Sequence, residues 1–244
     1  MSDEQVTRIC GRHVLVGMGG AVALWTAAFR GKSGFWAKMA AGVGSLGAYA
    51  LYANPDLRKT RVRPADVARG IASAGLLYGI FQVGDRFARK VMPNGGAEID
   101  DIYRKRGLAP DPFIAATLAL LIAPGEELFW RGLLNRYLAQ ELNPVAGNAV
   151  GATIYGAIHL VSGNLTLTGA AGVAGAFWSL EHLAQRRMAP LIVSHVAWDL
   201  WIFLVRPTAG ESRAHPHAGA TSDLGTNPSG PRPSEYPSGR RHGR

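Results

Sequence analysis

The chain contains about seven apolar stretches long enough to cross a lipid bilayer, and this limits its fold more than any other feature. They run from Val14 to Phe29, Phe35 to Ala53, Val67 to Gly84, Phe113 to Leu134, Val145 to Val161, Leu165 to Leu183 and Ala189 to Val205. In hydrocarbon every backbone polar group needs an internal partner, so such stretches span as helices. A helix of a soluble bundle turns a charged stripe to water, whereas Val145 to Val161 has no Lys, Arg, Asp or Glu. Composition agrees, with 48% of residues apolar, 18% charged and 31 glycines. The expected fold is all-α, a polytopic transmembrane helix bundle of about seven spans, six to eight, in which four C-terminal helices hold nearly all the intramembrane ionisable residues.

The formal net charge is +9, and the basic residues cluster between the apolar stretches, as in Arg58, Lys59, Arg61 and Arg63, or Arg104, Lys105 and Arg106. Beside spans such clusters meet anionic headgroups, so the expected partner is membrane lipid and not nucleic acid. Counted over seven spans, eleven Lys and Arg fall near the span ends on each side, and charge bias sets no orientation. The single cysteine, Cys10, excludes an internal disulfide and a Cys-based zinc site. Asp3 and Glu4 ahead of the first apolar run argue against a cleaved signal peptide.

Three segments follow from these shifts. Residues 1–112 hold the first three spans and their basic loops, 113–205 the dense C-terminal group, and 206–244 a Pro, Gly and Arg-rich tail expected to be disordered. Small residues such as Gly147 with Gly151, and Gly169, Gly172 and Gly175, are expected to let helices approach closely.

An ionisable side chain at bilayer depth costs at least ~2.5–3.5 kcal/mol, so each one asks for a reason. The first three spans contain almost none, while the last four contain Glu126, Glu127, Arg131, His159, Glu181, His182, His195 and Asp199. Pro124 and Gly125 place the two glutamates at a helix break or start. Glu127 and Arg131 are four apart with the acid first, the favourable order, and are expected to pair. Glu126 points about 100° away from Glu127, is left without a cation, and is the candidate general base. His159 follows Tyr155 by four and His195 precedes Asp199 by four, so each histidine has a partner on its own helical face. Asp199 could fix the His195 tautomer or contact the reacting group. Glu181 and His182, beside Gln185 and Arg186, read as interfacial, and His13 and Trp25 as membrane-boundary residues.

The ordered set Glu126-Glu127-x-x-x-Arg131, Tyr155-x-x-x-His159 and His195-x-x-x-Asp199 resembles the CAAX protease and bacteriocin-processing (CPBP or Abi) family of intramembrane proteases, related to the type II CAAX prenyl endopeptidases. The resemblance covers about Phe113 to Val205 and implies a catalytic helix core there. It implies peptide-bond hydrolysis of a membrane-anchored peptide or protein, with water activated by Glu126 and His159 and the oxyanion stabilised by His195 and the residue at Asp199. Such a site is either a glutamate-type centre or a metalloprotease in which Glu126, His159 and His195 hold Zn with an open water position. The metal-free form is favoured here, because Glu127 is taken by Arg131. Tyr155 stands where the family more often has Phe, and its hydroxyl could orient Glu126 or His159. Asp199 stands where Asn is commoner, and an ionised carboxylate cannot donate to an oxyanion.

Two other readings of the same residues are a proton-coupled transporter component, since buried Glu, His and Asp also build relays, and a catalytically silent scaffold of the same family. Abundant Ala, Gly and Arg with few Lys point to a bacterial inner-membrane protein acting on peptide substrates rather than prenylated ones.

Overall fold

The described part of the chain, residues 8–206 of a computed structural model, is helical throughout, and no strand forms among these residues. Each apolar stretch read from the sequence lies in a helix of its own. In chain order these are α1 (Gly11–Phe29), α2 (Phe35–Ala53), α3 (Pro64–Val91), a short α4 (Gly95–Arg104), α5 (Asp111–Glu141), α6 (Pro144–Ser162), α7 (Leu165–Gln185) and α8 (Met188–Val205). Among them α1, α5, α6 and α8 are both long and apolar enough to cross a membrane. The other three long helices, with 19, 28 and 21 residues, are diluted by small residues in α2 and α7 and by Asp85, Arg86, Arg89 and Lys90 in α3. The all-α membrane bundle is therefore what forms, with four of the expected spans meeting both criteria. The tail expected to be disordered lies, past Arg206, outside the described residues.

Caps and cross-ties set the helix ends. Asn143 Oδ1 accepts from the Ala146 amide at 2.9 Å ahead of Pro144, and Asn164 Oδ1 accepts from the Leu167 amide at 2.7 Å at the start of α7. Glu98 of α4 reaches the same helix start, its carboxylate accepting from the Thr166 amide at 2.8 Å and the Thr166 hydroxyl at 2.6 Å. These bonds hold the Glu98 carboxyl below its usual range, the Thr166 hydroxyl contributing most. At the other end of the bundle Asp66 accepts from the Arg63 amide and from Arg187 Nε, each at 2.9 Å, which ties the first turn of α3 to the turn before α8. The Arg187 guanidinium holds the Asp66 carboxyl below its usual range. The folded state has the lower value, so this tie stabilises the fold above the unfolded carboxyl value and is lost as pH falls through the folded one.

The structure corrects one local expectation. The sequence places a break at Pro124, yet α5 runs through it. Wider π-helical stretches, Leu118–Ile122 before and Trp130–Asn135 after, bracket the regular turns Ala123–Phe129. Pro124 has no amide hydrogen to donate, and the helix enters it through the wider turn in which the Ala123 amide bonds to the Leu118 carbonyl, five residues back. Glu126 and Glu127 consequently sit halfway along a 31-residue helix, not at its end.

Where α2 crosses α5 the backbones nearly touch. A Cβ on Gly47 would stand 2.7 Å from Gly125 Cα, and one on Gly125 would stand 2.6 Å from the Val43 carbonyl oxygen. Of the glycines expected at crossings, Gly147 meets the Ala139 backbone and Gly151 the Asn135 side chain, but a Cβ at Gly169 or Gly172 would meet nothing within 4 Å. Replacing Gly47 by Val is expected to destabilise the protein by about 1–3 kcal/mol through overpacking against backbone that cannot yield. Gly75→Ala on α3, where no atom lies within 4 Å, is expected to be neutral or slightly stabilising. Thermal unfolding of the detergent-solubilised variants checks both.

Candidate active site

The expected ion pair between Glu127 and Arg131 is present. Arg131 Nη1 donates to Glu127 Oε1 at 3.0 Å, with both side chains at most 1% exposed. Arg131 Nη2 donates to the Gly175 carbonyl of α7 at 3.1 Å, and the guanidinium lies over the rings of Tyr155 and Trp178, 4.7 and 5.5 Å from their centroids. A side chain at Gly175 would run into the Tyr155 ring at 2.8 Å, so glycine there lets α7 bring its carbonyl this close. The charge is thereby enclosed by a carboxylate, a carbonyl and two ring faces.

The same Glu127 oxygen accepts a second bond, from His195 Nδ1 on α8 at 2.8 Å. A carboxylate only accepts, so Nδ1 carries a proton and Nε2 is the ring atom left for chemistry. Of the two roles left open for Asp199, setting the His195 tautomer falls to Glu127, since Asp199 Oδ2 stands 3.6 Å from Nε2, beyond hydrogen-bond length. The imidazole stacks on Trp178 with centroids 3.9 Å apart, and the indole N–H of Trp178 is held by Ser194 Oγ at 3.1 Å.

Glu126 faces elsewhere, as its helical angle requires. Its Oε2 accepts from the Tyr155 hydroxyl of α6 at 2.6 Å, while Oε1 has no partner among the described residues. The hydroxyl at Tyr155 thus orients Glu126. The Tyr155 carbonyl accepts from His159 Nδ1 at 2.9 Å, which leaves the Nε2 lone pair to accept from the indole N–H of Trp25 at 3.2 Å. Trp25 is wholly buried, so its expected place at the membrane boundary is corrected. A Trp near the end of an apolar run reads as an interfacial anchor, and no local signal separates that from a ring turned inward. His13, also expected at the boundary, is half-buried and bonded to the Tyr49 hydroxyl at 3.0 Å.

Glu126, His159, His195 and Asp199 line one apolar cavity of about 460 Å³, whose walls include Phe35, Phe81 and Phe203 and to which Ile99 and Tyr103 of α4 contribute. Glu127 and Arg131 are not in its lining and act from behind it. Glu181 and His182, expected at an exposed interface, are half-buried instead. Glu181 accepts from Ser73 Oγ at 2.8 Å and from Gln185 Nε2 at 2.9 Å.

The residues considered for zinc do not fit it in this arrangement. His159 has both ring nitrogens engaged and Glu126 one of its oxygens. Among the described residues no three His, Cys, Asp or Glu side chains gather into a group that could hold a metal ion.

Residues 109–201 match a family model described as Rce1-like, type II CAAX prenyl endopeptidase Rce1-like. That segment is similar to the Rce1-like family. This bears out the resemblance carried by the ordered motifs, and the matched segment runs from before Glu126 to past Asp199. Residues 109–201 are thus similar to a family of membrane proteases, and four helices of the chain are long and apolar enough to cross a membrane. No curated protein and no solved structure matches the chain. Trp25 lies outside the Rce1-like segment, yet it contacts a histidine within it.

Arg131→Ala is expected to destabilise the protein by about 3–5 kcal/mol, because it strands a buried carboxylate. Arg131→Lys is expected to recover only part of this, since an ammonium cannot span Glu127 and the Gly175 carbonyl with one planar fork. Thermal unfolding in detergent measures the order of the three proteins.

Proposed function

We propose that the chain is an intramembrane endopeptidase that hydrolyses a peptide bond of a membrane-anchored peptide or protein, with Glu126 as the base that activates water. The observation that carries this reading is the asymmetry of the Glu126 carboxylate. One oxygen is fixed by Tyr155, and the other is free on an apolar cavity that it shares with His195 and Asp199. A fixed carboxylate with one free oxygen in a largely water-excluding cavity is the arrangement a general base requires.

In the proposed reaction Glu126 Oε1 takes a proton from water as the water oxygen attacks the scissile carbonyl. The carbonyl oxygen becomes the oxyanion, and His195 donates to it from Nε2 as the imidazolium, with Glu127 as the counter-charge at 2.8 Å. Glu126 then returns the proton to the leaving amine. His159 has its Nε2 lone pair on Trp25, so it joins Glu126 in activating water only when that contact opens. Asp199, beyond hydrogen-bond length from Nε2, limits the space in which the oxyanion sits and has no donating role while ionised. No step needs a metal. The aromatic and aliphatic walls suit the apolar anchor of a substrate.

The test is cleavage of a panel of membrane-anchored peptides by protein purified in detergent. Glu126→Gln, which keeps the shape and removes the base, is expected to lower kcat by about 10²–10⁴-fold, while Tyr155→Phe retains measurable turnover. His195→Ala is expected to be as inactive as Glu126→Gln. Wild-type activity in Glu126→Gln would sink the proposal, as would a wild type that cleaves nothing but carries a Glu126-dependent, pH-dependent flux in liposomes. Full activity after exhaustive chelation is the expected outcome for the metal-free route.

A further inference from the structure

A second cavity, of about 290 Å³, lies where the connection between α2 and α3 meets the turn between α7 and α8 and the C-terminal part of α5. Its wall carries Lys59, Arg61 and Arg63 from the connection, Arg136 from α5, and Arg186 and Arg187 from the turn. The buried Arg131 contributes to its lining as well, as does His182. Burial is graded, with Arg61 and Arg186 exposed at the mouth, Arg136 and Arg187 half-buried, and Arg131 inside.

Negative charge is scarce in this cavity. The one carboxylate in its lining, Asp56, is shared between Lys59 at 3.1 Å and Arg136 at 3.0 Å. Arg187 is held by Asp66 from outside the lining. Arg61 and Arg186 pair with no carboxylate among the described residues. On a convex loop such charges would disperse into water, but a concave site between low-dielectric helices focuses their field inward.

Two further features narrow the ligand. Guanidinium forks meet the oxygens of a phosphate group bidentately, which a halide cannot offer. The cavity is built mostly from residues at helix ends, the level of lipid headgroups in a bundle that spans the bilayer. The left-handed turn that ends α7, φ 50° at Arg186, puts that residue in the cavity wall.

We propose that this cavity binds the phosphate of an anionic phospholipid headgroup, with Arg61 and Arg186 among the cations that lack an internal ion-pair partner. Free inorganic phosphate shares the chemistry and is the alternative source. The site lies apart from the apolar cavity, and its test does not depend on peptide cleavage.

The full chain in a neutral detergent is offered phosphatidylglycerol, phosphatidylcholine or inorganic phosphate, and bound lipid is counted by native mass spectrometry beside the thermal unfolding midpoint. Phosphatidylglycerol is expected to remain bound and raise the midpoint, and phosphatidylcholine is not. The double variant Arg61→Gln with Arg186→Gln, at two exposed positions, is expected to weaken phosphatidylglycerol binding about tenfold or more with unchanged helix content. Arg104→Gln with Arg106→Gln, which removes the same charge outside the cavity, is expected to bind as wild type. Should millimolar inorganic phosphate alone give the Arg61- and Arg186-dependent rise, the phosphate chemistry stands and its source is soluble. Equal phosphatidylglycerol binding by the two double variants overturns the proposal, as does equal binding of phosphatidylcholine or no binding of either anion.

Discussion

One carboxylate oxygen, Oε1 of Glu127, accepts from Arg131 on its own helix and from His195 on α8, both deep in the bundle. Neither partner can leave without stranding a charge away from water, which is the most expensive state available to a residue at this depth. The bond pair therefore holds α5 and α8 in one register. It also decides which nitrogen of His195 bears the proton and which way the ring faces. Arg131 extends the same connection to α7 through the Gly175 carbonyl, and its guanidinium lies against the aromatic faces of Tyr155 and Trp178. Three helices and the orientation of the His195 ring thus depend on one buried anion.

Around that fixed point the two adjacent glutamates divide into different tasks. Glu127 is consumed by structure, and Glu126, turned about 100° from it on the helix, keeps one oxygen for the cavity. Tyr155 serves both sides of the site, with its hydroxyl on Glu126 and its carbonyl on His159. Trp25 closes the arrangement from α1 by taking the remaining lone pair of His159. The first helix is therefore part of the site's hydrogen bonding even though the Rce1-like segment begins at residue 109.

The two ends of the bundle contrast chemically. The apolar cavity draws on α4 and the second half of α3, and Glu98 pins α4 to the start of α7 beside it. The basic cavity draws on the α2–α3 connection and the α7–α8 turn, and Asp66 with Arg187 ties these together. Each end thus carries one carboxylate clamp that closes a helix start against a neighbouring turn. Arg131 lines the basic cavity and is linked through Glu127 to His195 in the wall of the apolar one.

The apolar lengths determined the helices, and the spacing of Glu127 with Arg131 determined their pair, because both depend on distances along one helix that the chain itself sets. The ordered motifs likewise named Glu126, His159, His195 and Asp199, all of which line one cavity. What the sequence could not contain was which helix faces which. His195 was legible beside Asp199, four residues on, but its nearer partner is Glu127, 68 residues earlier. Trp25 lies 134 residues before His159 and sits in a stretch that reads as ordinary membrane span. The continuation of α5 through Pro124 rests on wider turns on either side of it, which local propensity does not forecast. Local spacing therefore determined the helices and the candidate residues, whereas the hydrogen-bond partners that give those residues tautomer and direction came only from packing between helices far apart in the chain.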